Sequence, residues 1–207
     1  MEEVLEVYHR PYNEKRPLAC LDEASRQLIG EVARPIPAPP GRPERFDYEY
    51  ARNGTANLFM VFEPLLGWRH VEVTERRTAK DFARVVRWLV EDVHGEAEAV
   101  VLVCDNLNTH RPASLYEAFP PEQARRILER VEWHYTPKHG SWLNMAEIEL
   151  SVLGRQALGE RIESRARMAE ATGAWEEDRN ERGVQTQWRF TTAEARIKLH
   201  KLYPSLP

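Results

Sequence analysis

The sequence is poor in cysteine and lacks any long apolar run. Its two cysteines, Cys20 and Cys104, stand in no CxxC or Cys/His spacing. That excludes a disulfide framework or a zinc cluster, and both read as reduced core residues. No apolar stretch approaches the roughly 20 residues that cross a bilayer. The start Met1-Glu2-Glu3 is acidic, without the basic and apolar regions of a signal peptide. A cytoplasmic protein without a membrane partner is therefore expected. No internal repeat is visible. Positive charge is not in excess either, the formal net charge being -4. This excludes a uniformly basic nucleic-acid surface. It leaves open a site in which carboxylates gather divalent cations, whose charge reverses the local sign when a phosphate arrives.

What is present is the composition of a folded domain: 207 residues, 42% hydrophobic, with six Trp. That length buries one principal core. The run Pro17-Leu18-Ala19-Cys20-Leu21 ending in Asp22-Glu23 reads as a buried strand closed by acid. Residues 34–45 are too proline-rich for a helix or an inner strand, so they read as an extended loop. It is either a spacer or an arm that brings Arg34, Arg42 and Arg45 to a DNA backbone. Asn53-Gly54 is a turn signal before the strand Ala56 to Phe62, and Gly67 separates that strand from Arg69 to Thr74. Thr78 and Asp81 form a capping box for an amphipathic helix that Gly95 stops. Ala99 to Cys104 is continuously apolar and ends at Asp105, the pattern of a central parallel strand. A helix from Pro121, a strand Val131 to Tyr135, and helices at Trp142 to about Leu158 and Ser164 to Arg182 follow. Thr191 and Glu194 cap a last one. The order predicts an α/β fold, a mixed sheet with helices on its faces.

Two buried strands that end in Asp would set Asp22 and Asp105 side by side, at the sheet end where such folds build their sites. A strand-end Asp also serves as a turn or helix cap, so the pair alone is not decisive. Phosphodiester chemistry needs hard cations with oxygen ligands and a third carboxylate. Glu147 and Glu149 both lie on the helix after Ser141. Residues two apart on a helix face different ways, so one of them faces the metals, and periodicity does not choose which.

The segments Asp105-Asn106-Leu107-Asn108-Thr109-His110 and Tyr135-Thr136-Pro137-Lys138-His139-Gly140-Ser141-Trp142-Leu143-Asn144-Met145-Ala146-Glu147 closely resemble the DDE endonuclease domain of mariner-like bacterial insertion-sequence transposases. So do Tyr8 to Tyr12, Cys20 to Glu23, Arg52 to Thr55 and Trp188 to Arg196, so that nearly the whole chain is covered. The resemblance implies a ribonuclease-H-like fold with a mixed five-stranded sheet flanked by helices. Residues 1–16 are then a lead-in, 17–160 the catalytic domain with its proline-rich loop at 34–45, and 161–207 a helical extension packed on the same domain.

The resemblance also implies that Asp22, Asp105 and Glu147 are catalytic and hold two Mg²⁺ or Mn²⁺ ions, Glu147 because it completes Leu-Asn-x-x-Glu. Glu23, Asn106, His110 and Asn144 would support them. Lys138, His139 and Trp142 are further candidates for DNA contact, and Arg196, Lys198 and Lys201 are cations of the last helix. The implied function is hydrolysis at transposon ends and transfer of the freed 3′-hydroxyl into target DNA. Partners would be double-stranded DNA, a second copy in a homodimer, and a separate helix-turn-helix chain, since Met1 lies only 21 residues before Asp22. The setting would be bacterial and nucleoid-associated. The rival expectations are a catalytically silent remnant that regulates by binding DNA or a transposase, and a plain nuclease without strand transfer.

Overall fold

Five strands, β1 (Leu18–Glu31), β2 (Tyr50–Glu63), β3 (Trp68–Thr74), β4 (Val100–Cys104) and β5 (Val131–Tyr135), join in one sheet in the order β3-β2-β1-β4-β5. The computed structural model that shows this describes residues 1–32, 48–138 and 140–200. β1, β2 and β3 are antiparallel neighbours, whereas β4 runs parallel to both β1 and β5. The mixed five-stranded sheet flanked by helices is thus present as expected.

Alternation along the strands divides the core into two layers. Leu18, Cys20, Met60, Phe62, Val101 and Val103 face one side, where α1 (Glu2–Tyr8), α5 (Met145–Gln156) and α6 (Arg165–Glu181) cover them. Ala19, Leu21, Phe59, Val61 and Leu102 face the other, under α2 (Ala79–Arg87) and α4 (Pro121–Glu129). α3 (Ala113–Ala118) and α7 (Thr192–Lys198) complete the α-helices among the described residues, a π-helical turn at Trp88–Val93 prolongs α2, and a 3-10 turn at Ser141–Leu143 precedes α5. Both cysteines are buried and free. The capping boxes form as read, Thr78 with Asp81 on α2 and Thr191 with Glu194 on α7.

Two readings need correction, and a third gains detail. β1 does not end at Asp22-Glu23 but continues to Glu31, because beyond the acids it pairs with β2 as a two-stranded ribbon. Ribbon residues Ser25, Arg26 and Gln27 meet solvent and carry no apolar run to announce a strand. Asn53-Gly54 is not a turn but lies inside β2. The register slips there, Gln27 opposing Thr55 and Ile29 opposing Arg52, so β2 holds an extra residue. Gly54 takes φ 101°, as a bulge requires. Residues 1–16, read as a lead-in, contain α1, whose Val4, Leu5, Val7 and Tyr8 are buried in the core. Seven residues are too few for periodicity to reveal a helix.

The helix that carries both candidate glutamates is braced through Glu149. Its carboxylate lies 3.3 Å from Arg69 Nε and accepts a 2.9 Å hydrogen bond from Arg179 Nη2. Arg69 is fully buried, stacked over Phe62, and donates through Nη2 to the Val184 carbonyl at 2.6 Å. Asn180 closes the knot by bonding the Arg69 backbone in both directions. Glu149→Ala would leave two guanidinium groups short of their counter-charge, which costs about 3–5 kcal/mol in such settings. Urea denaturation should register a loss of that size. A change within about 0.5 kcal/mol, as for an ordinary surface substitution, would show that the knot does not brace the helix.

Candidate functional site

The parallel pairing of β1 with β4 is short: Leu18 opposes Val101, Ala19 opposes Leu102 and Cys20 opposes Val103. Asp22 lies two residues further along β1, and Asp105 directly follows the end of β4, two residues beyond Val103, so the ladder delivers both acids to the same end of the sheet, where neighbouring strands lie about 4.8 Å apart. Asn144 aligns the third acid with them. Fully buried, it caps α5 by accepting from Ala146 N at 3.1 Å and donates through Nδ2 to the Leu21 carbonyl at 2.9 Å. Tyr8 adds a 2.6 Å bond to the Leu143 carbonyl. The start of α5 is thereby fixed to the residue preceding Asp22. Glu147, in its first turn, is exposed and lines one open pocket of about 430 Å³ with Asp22, Asp105, Ser141, Ser151 and Arg26. Glu149 points away into its ion pairs.

The two aspartates differ electrostatically. Asp22 is 9% exposed, and burial pushes its carboxyl up to about 7 against the stabilising Glu23 amide bond, with Asp105, Glu23 and Glu147 adding repulsion. Burial would raise Asp105 too, but the hydrogen bond and charge of His110 hold it below its ordinary value. His110 is buried and stacked on Phe82, its Nδ1 2.5 Å from Asp105 Oδ1 and its Nε2 2.5 Å from Glu23 Oε2. Burial opposes a charge on this imidazole, yet the two carboxylates outweigh it and raise it to about 9.

Of the remaining candidates, Glu23 pairs with His110 and Arg77 and lines the same pocket as Asp22. Asn106 is exposed in the turn after Asp105. Lys138 is exposed. Trp142 is 41% exposed and stacks on Trp188 at 6.0 Å. Arg196 grips Glu2 through two nitrogens, and Lys198 lies 3.6 Å from Glu194. Arg34, Arg42, Arg45, His139 and Lys201 lie outside the described residues. Sequence reading missed Arg26, which alternation places on the same face as Asp22 once β1 is known to continue.

Among the described residues no three His, Cys, Asp or Glu side chains converge closely enough to form a finished metal cage. The donor set nonetheless fits hard divalent cations: four carboxylates, Asp22, Glu23, Asp105 and Glu147, line one pocket, and Asp22 is held where its charge lacks compensation.

A family model described as the DDE superfamily endonuclease matches residues 17–169. The chain belongs to that superfamily. Solved structures share its fold, among them complexes of the mariner transposase Mos1. The Mos1 mariner paired end complex with Mn is 17% identical, covers 88% of this chain and 55% of its own, and has a TM-score of 0.58. The paired-end complex with left transposon end gives 16%, 88%, 56% and 0.58, and the strand transfer complex 16%, 88%, 54% and 0.56. At these identities the likeness is one of fold, that of a ribonuclease-H-like catalytic domain, and this chain spans little more than half the length of the Mos1 chains. No curated protein matches the DDE chain in sequence. No helix among its described residues is long and apolar enough to cross a membrane.

The raised Asp22 has a consequence for stability. An unfolded Asp ionises near 3.8, so the folded state loses stability as pH rises from there to about 7, by on the order of 4 kcal/mol at most. Asp22→Asn carries no such penalty. In chelator, its melting temperature should exceed that of the wild type by roughly 5–10 °C above neutrality. The advantage should fade toward pH 4. Equal melting temperatures above neutrality would show that Asp22 ionises without strain.

Proposed function

We propose that the chain is the catalytic part of a DNA transposase, which hydrolyses phosphodiester bonds at transposon ends and joins the freed 3′-hydroxyl to target DNA. The observation that carries this reading is that Asp22, Asp105 and Glu147 line one pocket at the end of the parallel β1/β4 ladder. Membership of the DDE endonuclease superfamily supports it. So does the fold shared with a transposase captured with Mn, with a transposon end and in a strand transfer complex.

Asp22, Asp105 and Glu147 would hold two Mg²⁺ or Mn²⁺ ions. Bound there, the ions lower the pKa of the attacking hydroxyl and stabilise the charge growing on the leaving oxygen. Hydrolysis forms a bond from the water oxygen to phosphorus and breaks the P–O3′ bond, leaving a 3′-hydroxyl and a 5′-phosphate. In strand transfer that 3′-oxygen attacks a target phosphate, whose own O3′ departs. One set of carboxylates serves both in-line displacements. His110 keeps Asp105 ionised and fixes its Oδ1, and Asn144 holds Glu147 in register with Asp22. A catalytically silent remnant would lack any need for this arrangement.

Plasmid nicking with Mn²⁺ tests the assignment. Asp22→Ala, Asp105→Ala and Glu147→Ala should each lower the rate on the order of a hundredfold or more, the scale on which loss of a charge-stabilising group is felt. Glu149→Gln, assayed below its lowered melting point, should still cut. A fully active Asp105→Ala protein would overturn the mechanism. Joining of a pre-cleaved end to target DNA separates a transposase from a plain nuclease.

A further inference from the structure

We infer that Arg26 is a substrate-gripping residue, which holds a phosphate of the DNA strand beside the one to be cut, and that Gly154 exists to make room for it. The inference rests on the nuclease reading and extends it to a residue outside the carboxylate triad.

Arg26 stands four residues beyond Asp22 on β1, on the same face, and lines the pocket shared by the three acids. Despite that setting it forms no ion pair with any described residue, whereas Arg69, Arg77 and Arg179 each find a carboxylate. Its guanidinium instead reaches across to α5, and its Nη2 lies where a Cβ at position 154 would be, so a larger residue there would push this flexible side-chain tip out of its place. Glycine in the interior of a helix costs about 1 kcal/mol relative to alanine, so its presence in α5 calls for a reason. The niche supplies one.

Glu147, Leu150, Ser151 and Gly154 follow at helical spacing along the groove side of α5. Two turns separate Glu147 from Gly154, about 10 Å. An exposed groove therefore runs from the acids at one end to an uncompensated guanidinium at the other. A cation at that distance is too far to touch the scissile phosphate and suits a neighbouring phosphate of the same strand. Arginine is fitted to this task by its planar fork of donors, which meets two phosphate oxygens at once.

The test measures binding and cutting separately. Binding of a short random-sequence duplex in Ca²⁺ is followed by fluorescence anisotropy over a range of salt, and cutting by plasmid nicking in Mn²⁺. Arg26→Ala should weaken binding about tenfold. It should also make the salt dependence shallower by about one counterion. Arg26→Lys should restore the slope but not the full affinity. Gly154→Ala should melt no lower than the wild type yet cut several-fold more slowly, because the displaced guanidinium no longer grips. Combined with Arg26→Ala it should cause no further loss. Unchanged affinity and slope in Arg26→Ala would overturn the inference. So would wild-type cutting by Gly154→Ala, or an equal added loss in the double variant. A wild-type protein that neither binds nor cuts DNA would fail the nuclease reading itself and take this inference with it.

Discussion

Negative charge that the fold must hold together against its own repulsion governs this molecule. Asp22 sits almost wholly out of water, beside Asp105 and within the field of Glu23 and Glu147, and its carboxyl is raised to about 7 as a result. Left to itself such a cluster would spread apart. It is held by structure that does not depend on the acids: three residue pairs of parallel sheet, one buried asparagine that fixes helix α5 to β1, and a buried arginine knot behind that helix. Each of these braces acts on the backbone or on a neighbouring side chain, and none of them bonds an oxygen of Asp22, Asp105 or Glu147.

The protein does not treat its acids alike. Asp105 is matched to the His110 imidazole, which in turn reaches Glu23, so that this acid is held below its ordinary value and oriented. Among the described residues Asp22 and Glu147 form no ion pair. The compensation missing there is about what hard divalent cations supply. Arg26, the cation inside the same pocket, is turned away toward Gly154 and leaves the acids unneutralised.

Much of this was legible in the sequence wherever one local rule acted alone. The unbroken apolar run into Asp105 gave β4, and the Thr78 and Thr191 capping boxes marked the starts of their helices to the residue. Tertiary forces hid the rest. The ribbon beyond Asp22 is a strand only because β2 pairs with it, and its polar residues carry no alternation. Asn53-Gly54 has the chemistry of a turn, but a bulge makes the same demand on φ. Periodicity separated Glu147 from Glu149 without saying which faced the acids. That choice is made by Arg69 and Arg179, residues far away in the chain. Arg26 stayed invisible because its meaning depends on a glycine in another element.

The central claim is that Asp22 is strained in readiness for a cation. Calorimetric titration of Mn²⁺ near pH 7, repeated in buffers of different ionisation enthalpy, tests it most directly. Binding should release protons at that pH, where Asp22 is partly protonated, and release fewer as the pH is raised. Asp22→Asn should abolish both the tight binding and the proton release. Mn²⁺ binding of equal affinity and equal proton release in wild type and Asp22→Asn, or no binding by the wild type at all, would contradict the account.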